Sequence, residues 1–246
     1  MPAQGALRIL LTAVVWNLVL IARLSAAQEQ SAVLKGAYIE FPPLTYTNEQ
    51  GAPAGLHIET TNRLAQKAGY KIDWRSLPID RIFLYLQKGN LDVWLGAQDV
   101  PMLAEWTREP GFSFGQIRLN AYHKETTEPV SAIPDLRGKH LIMIRGYTYL
   151  DRLDDVVEAA ETQVDHASTH RAGLRMLQAD RGDYLLDFEA PVTQALETLS
   201  LPAITDSPLT GWNTTLVFSK RADHSEDAII RDFESAWSDN PHSLRR

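Results

Sequence analysis

The sequence predicts an α/β protein made of two similar lobes with a ligand cleft between them. Three observations carry that expectation. Short apolar runs rich in strand formers alternate with stretches of helix formers, the pattern of a sheet with crossover helices and not of an all-β sandwich. The order strand–helix–strand–helix–strand occurs twice, on either side of the segment 115–132. The chain is 44% hydrophobic yet has no long apolar stretch after its first 27 residues, so disorder and membrane spanning are both excluded for the remainder.

The first run opens with a strand over Val33–Ile39, broken by Pro42, Pro43 and the Asn48–Gly51 turn. His57–Ala68 reads as a helix that stops at Gly69, where a left-handed residue caps the last turn. Lys71–Arg75 alternates as a strand. Asp80 is placed as the cap of a helix reaching Lys88, with Gly89 as its stop, and Leu91–Leu95 is a short apolar strand.

The second run repeats this grammar. Lys139–Ile144 is a strand, Tyr149–Ala160 a helix and Gln163–His166 a strand. Ser168 is expected to cap a helix through Ala179, followed by a strand over Asp183–Asp187. Pro191 suits the first turn of a helix to about Leu199, because its missing N–H would be unpaired there anyway. Thr214–Phe218 is a last strand, and Asp227–Trp237 a final amphipathic helix.

Residues 1–27 stand outside this scheme. Arg8 precedes an apolar run from Ile9 to Ile21, and Ser25, Ala26 and Ala27 are small, the plan of a cleavable secretory signal peptide. The run is shorter than the ~20 residues that span a bilayer. Removing it leaves 219 residues with 22 basic and 31 acidic side chains, a formal charge of −9. So acidic a surface excludes nucleic acid as a partner. The chain has no cysteine, which rules out disulfides, thiol catalysis, zinc–thiolate sites, iron–sulfur clusters and a lipid-modified cysteine. A soluble, monomeric, periplasmic protein without membrane insertion after processing is expected.

Ligands of parallel α/β sheets bind beyond the carboxyl ends of strands, so chemistry is sought in the loops there. Glu40 and Phe41 follow the first strand, offering an acid for an ammonium group and a ring for an apolar wall. Arg81 opens a helix, and Gln98 and Asp99 follow the strand that ends at Leu95 and Gly96. Arg145, Tyr147 and Thr148, with Gly146 between them, link a strand to a helix. Backbone N–H groups, a hydroxyl and a guanidinium there favour a small anion. Asp187 and Glu189 follow an apolar strand and are candidates for a cationic group. Catalytic patterns are lacking: there is no nucleophile elbow, phosphate loop or dinucleotide fingerprint. His166 and His170 have helix-like spacing, but the expected cap at Ser168 lies between them, so no metal site is assigned. The loops point to binding without catalysis, metal or cofactor.

Several stretches, in order, resemble the periplasmic solute-binding proteins of family 3, which serve ABC transporters for polar amino acids. They are Tyr38–Tyr46, Gly51–His57, Leu86–Asp92, Asp135–Lys139, Arg145 and Gly146 with Thr148, and Arg181–Leu186. The resemblance covers nearly all the chain after residue 27. It implies a type II periplasmic-binding-protein fold: one lobe from residues 28–117 and 214–246, the other from 118–213, joined by hinge strands near Gln116–Asn120 and Thr210–Thr214. It implies stacking of a ligand on Phe41, polar contacts from the loop at Gln98 and Asp99, and an anion loop at Arg145–Thr148. Two positions depart from the family. The carboxylate-binding arginine is replaced by Leu103, with Arg108 a few residues on as the substitute. The amino-group-binding aspartate falls at Phe188, flanked by Asp187 and Glu189.

The function implied is capture of a small polar metabolite, by default an amino acid or a related zwitterion or carboxylate, for delivery to an ABC transporter permease. Two alternatives stand beside it: a periplasmic ligand sensor or partner-binding protein without transport, and, more remotely, a dehydratase-like enzyme on the same fold.

Overall fold

The computed structural model describes residues 31–150, 152–222 and 225–239, so the expected signal peptide lies outside the described residues. Among the described residues eleven strands and six α-helices alternate. In the first segment β1 (Ala32–Tyr38) leads through the small pair β2 (Tyr46–Thr47) and β3 (Pro53–Ala54) to α1 (Leu56–Lys67). Then follow β4 (Tyr70–Ser76), α2 (Ile79–Lys88), β5 (Val93–Ala97) and the edge strand β6 (Thr107–Arg108). A long strand, β7 (Gly115–Lys124), enters the second segment. That segment contains β8 (His140–Ile144), α3 (Asp154–Val157), β9 (Gln163–Ala167), α4 (His170–Gln178), β10 (Tyr184–Phe188) and α5 (Glu189–Glu197). The chain returns along β11 (Ile204–Ser219) and ends in α6 (Glu226–Ser238).

The main sheet has the order β4-β1-β5-β11-β7-β10-β8-β9, with β6 branching from β11. Its centre is the antiparallel pair β7 and β11, in register from Ile204 opposite Lys124 to Thr214 opposite Gly115. Strands of the first segment lie on one side of this pair and those of the second segment on the other. Within each side neighbouring strands run parallel, β1 with β5, β10 with β8 and β8 with β9. That is the mixed α/β architecture expected. The stretches read as hinges are directly paired, with Gln116 opposite Asn213, Ile117 opposite Trp212 and Leu119 opposite Thr210.

Core packing follows the segments. Leu34, Tyr38, Ile58, Leu64, Leu216, Phe218 and Phe233 pack α1 and α6 against the first sheet half. Ile142, Leu174, Leu177, Leu185 and Val192 pack α4 and α5 against the second. Gly89 ends α2 at φ 73, a left-handed conformation that a side chain resists. Gly96 is required for a different reason: a Cβ there would lie 2.0 Å from the ring of Trp94.

Four local expectations are corrected. Asp80 is not a cap. The cap is Pro78, and Asp80 sits within the first turn, where a carboxylate still faces the positive helix end. Thr169, not Ser168, caps α4, its hydroxyl accepting from Ala172 N–H at 3.1 Å. The helix expected over Tyr149–Ala160 shrinks to Asp154–Val157, because Leu150 turns to φ 51. The Tyr149 hydroxyl, which bonds Ile144 N–H and Leu186 carbonyl, also holds that stretch against the sheet. The last strand is sixteen residues long and not five. A register shift between Pro208 and Thr210 lets the strand run past the proline, and Gly211 stays paired opposite Arg118.

Candidate functional site

The two segments meet over an aromatic cluster. Phe41 lies just after β1, in a turn closed by its N–H donating to Thr45 carbonyl at 2.7 Å. Its ring stacks on Tyr147, from the loop after β8, at 5.7 Å and 24°. It also meets Phe188, the last residue of β10, edge-on at 5.1 Å. Phe188 in turn contacts Tyr149 at 6.1 Å and Trp212 of β11 at 5.9 Å. Between these rings and Trp94 is a cavity with about 70 Å³ of free space. Among the described residues its lining is apolar or uncharged apart from His57, with no Lys, Arg, Asp or Glu in the wall. Burial holds the His57 imidazole down at about 4, so that it is neutral at pH 7. Trp94 Nε1 is buried with no hydrogen-bond partner among the described residues.

A hydrogen-bonded chain runs beside the rings. Tyr147 Oη is 2.8 Å from Glu40 carbonyl oxygen and 3.0 Å from His170 Nε2. His170 Nδ1 is 2.8 Å from Asp187 Oδ2, and the other Asp187 oxygen accepts from Phe188 N–H at 2.7 Å. Asp187 is fully buried. Desolvation raises its carboxyl above the usual range, only partly opposed by the bond and charge of His170. Burial likewise drives the Tyr147 hydroxyl far above the ordinary tyrosine range, with the charge of Asp187 next in effect, so it remains protonated. This chain ties the second segment to the backbone of the first.

Each residue singled out in the sequence has a definite place. Phe41, Tyr147 and Thr148 line the cavity, and Asp187 reaches it through His170 and Tyr147. Glu40 contributes its backbone; its carboxylate accepts from the hydroxyls of Thr47 at 2.6 Å and Ser76 at 2.5 Å. Arg145 is exposed and lines a neighbouring open pocket with Glu40, Tyr147, His170 and Arg171. Gln98 and Asp99 line a separate pocket with Arg152 and Trp212, and the Asp99 N–H donates to Glu109 at 3.1 Å. Glu189 pairs bidentately with Arg118 at 2.7 and 2.9 Å. Arg81 is exposed on α2, and Arg108 is exposed on β6, ion-paired with Asp227. Neither belongs to the cavity wall. Leu103, which the resemblance sets at the arginine position, is buried core.

The sequence reading weighed His170 only as a metal ligand and selected neither Trp94 nor Trp212 as a site residue. A signal for His170 was present: it directly follows a threonine able to cap, which places it in the first turn of a helix beside the β10 loop. Trp212 lies in the stretch read as a hinge strand, and nothing in the sequence turned its ring towards a ligand.

Comparison with known proteins reaches the same architecture. Residues 34–102 match the family model described as bacterial extracellular solute-binding proteins, family 3. The match lies within the first segment, and the solved structures that superpose on the chain give its fold, that of type II periplasmic binding proteins. An ancestral arginine-binding protein bound to arginine superposes with a TM-score of 0.70 at 16% identity, covering 87% of this chain and 94% of that one. A substrate-binding protein of an ABC uptake transporter from Streptococcus pneumoniae, with bound histidine, gives 0.68 at 18% identity, covering 89% and 91%. A histidine kinase sensor domain similar to periplasmic binding proteins gives 0.69 at 18%, covering 85% and 89%. No protein of curated function matches at the sequence level. Among the described residues no helix is long and apolar enough to cross a membrane, and no group of three or more metal-ligating side chains occurs.

Proposed function

We propose that the chain is an exported solute-binding protein that encloses a small metabolite between two lobes and presents it to an ABC transporter permease. The lobes are residues 28–117 with 214–246, and residues 118–213; the paired stretches of β7 and β11 are the hinge. The observation that carries this reading is the cavity between Phe41, Tyr147, Phe188 and Trp212, walled by residues of both lobes at the place where strands of both halves end. Its lack of charged walls bears on the ligand. The ligand has an apolar or ring-bearing body that enters the aromatic cavity. Charged ends of an amino acid or related carboxylate face Arg145 and Glu40 at the rim. Arg81 and Arg108 have no part in this arrangement.

Thermal-shift screening of the purified chain tests it, since a ligand that binds only the folded state raises the unfolding midpoint. L-Phenylalanine and phenylacetate are expected to raise it more than L-arginine or L-glutamine, and Phe41→Ala is expected to abolish the rise. No shift with any small solute would sink the reading. A sensor without transport is the second reading. The likeness to a histidine kinase sensor domain favours it, and failure of the liganded protein to bind any permease would select it.

A further inference from the structure

We propose that closing the cleft takes up one proton onto the Asp187–His170 pair, so that the protein closes, and retains solute, more readily as pH falls. The proposal rests on the two-lobe reading above and extends it to how closure is controlled.

It follows from counting donors. Tyr147 has one hydroxyl proton and two neighbours in hydrogen-bond range, Glu40 carbonyl oxygen at 2.8 Å and His170 Nε2 at 3.0 Å. A carbonyl oxygen only accepts, so the hydroxyl proton must go to Glu40. Nε2 must then donate to the phenolic oxygen and has to carry hydrogen. On its other side His170 Nδ1 lies 2.8 Å from an Asp187 oxygen, and that contact also needs a hydrogen, either on Nδ1 or on the carboxyl. The pair therefore holds two protons in the geometry seen, and is neutral overall. When Tyr147 leaves Glu40, its hydroxyl is released to donate to Nε2, and the pair needs only the proton between Nδ1 and Asp187. One proton departs on opening. Full burial of Asp187 opposes an uncompensated negative charge there and favours the two-proton form while the cleft is shut.

The other charged and titratable groups around the pair have partners of their own or lie in the pocket beside it. Arg145 and Arg171 line the same pocket and stay cationic. The Glu40 carboxylate is held by Thr47 and Ser76, Glu189 of α5 by Arg118 of β7, and Asp165 of β9 by His140 of β8. On β7, His123 bonds Ser207, and Lys124 pairs with Asp180. On β10 the charge facing His170 is Asp187 itself.

Linkage sets the sign and ceiling: a state that binds one extra proton gains at most tenfold in population per pH unit fall. Small-angle X-ray scattering of the purified chain between pH 5 and 9 reads the open–closed balance through the radius of gyration. The radius should fall on acidification. Tyr147→Phe should remove that dependence, because phenylalanine asks nothing of Nε2. Asp187→Asn should stay compact at every pH, since its amide can donate to Nδ1 and leave hydrogen on Nε2 without titrating. Circular dichroism confirms that each variant is folded, and either variant suffices if the other is not. A flat wild-type profile, or a pH dependence unaltered in Tyr147→Phe or in Asp187→Asn, overturns the proposal. Compaction by L-phenylalanine with no pH dependence would overturn the proton coupling and leave solute binding standing. No change with pH or solute would overturn both.

Discussion

At the scale of single residues, burial decides chemistry more than residue type does. His57 is a surface-capable side chain that the fold buries in α1 against Phe114, 5.5 Å between ring centres. Its folded value, near 4, lies below the unfolded 6.5. The folded state therefore binds fewer protons, and stability present above pH 6.5 is lost as pH falls towards 4. The difference corresponds to about 3 kcal/mol. His57→Phe is expected to remove this part of the acid destabilisation, as seen in urea midpoints at pH 7 and pH 4.5. Asp187 has the opposite sign. Its raised folded value means that its burial costs stability increasingly as pH rises through that value. Neither shift was visible in the sequence, where His57 opened a helix and Asp187 was a candidate for a cationic group. Glu40, Phe41, Arg145, Tyr147 and Asp187 were legible as loop residues at strand ends, because strand ends follow from periodicity. What each side chain does there depends on partners distant in sequence: Glu40 to Ser76, Asp187 to His170, Arg108 to Asp227.

At the scale of elements, caps and close approaches explain where local reading held and where it failed. Thr169→Ala should cost about 1 kcal/mol by removing the hydroxyl that accepts from Ala172. Because His170 is the next residue, the same variant should loosen the His170–Asp187 contact, which histidine NMR shifts would report. Gly96→Ala should cost about 1–3 kcal/mol through its clash with Trp94. That cost should shrink in a Trp94→Leu background, where the ring that a Cβ would strike is gone. An equal cost in both backgrounds, measured by chemical denaturation, would refute the steric origin. Helices such as Leu56–Lys67 and Ile79–Lys88 were readable to within two residues because amphipathic spacing and glycine stops are local signals. The Tyr149–Ala160 expectation failed because the Tyr149 hydroxyl is bonded to β8 and β10, outweighing helix propensity over a stretch with adjacent aspartates. β11 was underestimated because proline and glycine inside a strand normally argue against one.

At the scale of the whole molecule, the proposed hinge is also the centre of the sheet, the paired strands β7 and β11. These strands carry the chain across the sheet twice, so a change in their twist would swing one half against the other. Arg118 and Glu189 tie β7 to the start of α5, but both are exposed, and an exposed pair contributes ~1 kcal/mol or less. Arg118→Gln is therefore expected to move the thermal midpoint by less than about 4 °C, while a larger change in scattering profile would mark the pair as a restraint on closure.

The sequence by itself determined the α/β class, the twofold repetition of strands and helices, the loops in which a site was sought and the absence of cysteine chemistry. Those conclusions rest on composition, periodicity and turn residues, which are properties of contiguous stretches. Only the tertiary structure decided which candidates converge. Phe41, Tyr147 and Phe188 meet although 106 and 41 residues of sequence number separate them in turn, while Arg81 and Arg108 are exposed outside the cavity wall. The physical reason is that pairing across β7 and β11 brings together strand ends from opposite halves of the chain. Local patterning cannot encode the register of that pairing, and the register determines which side chains are buried against one another.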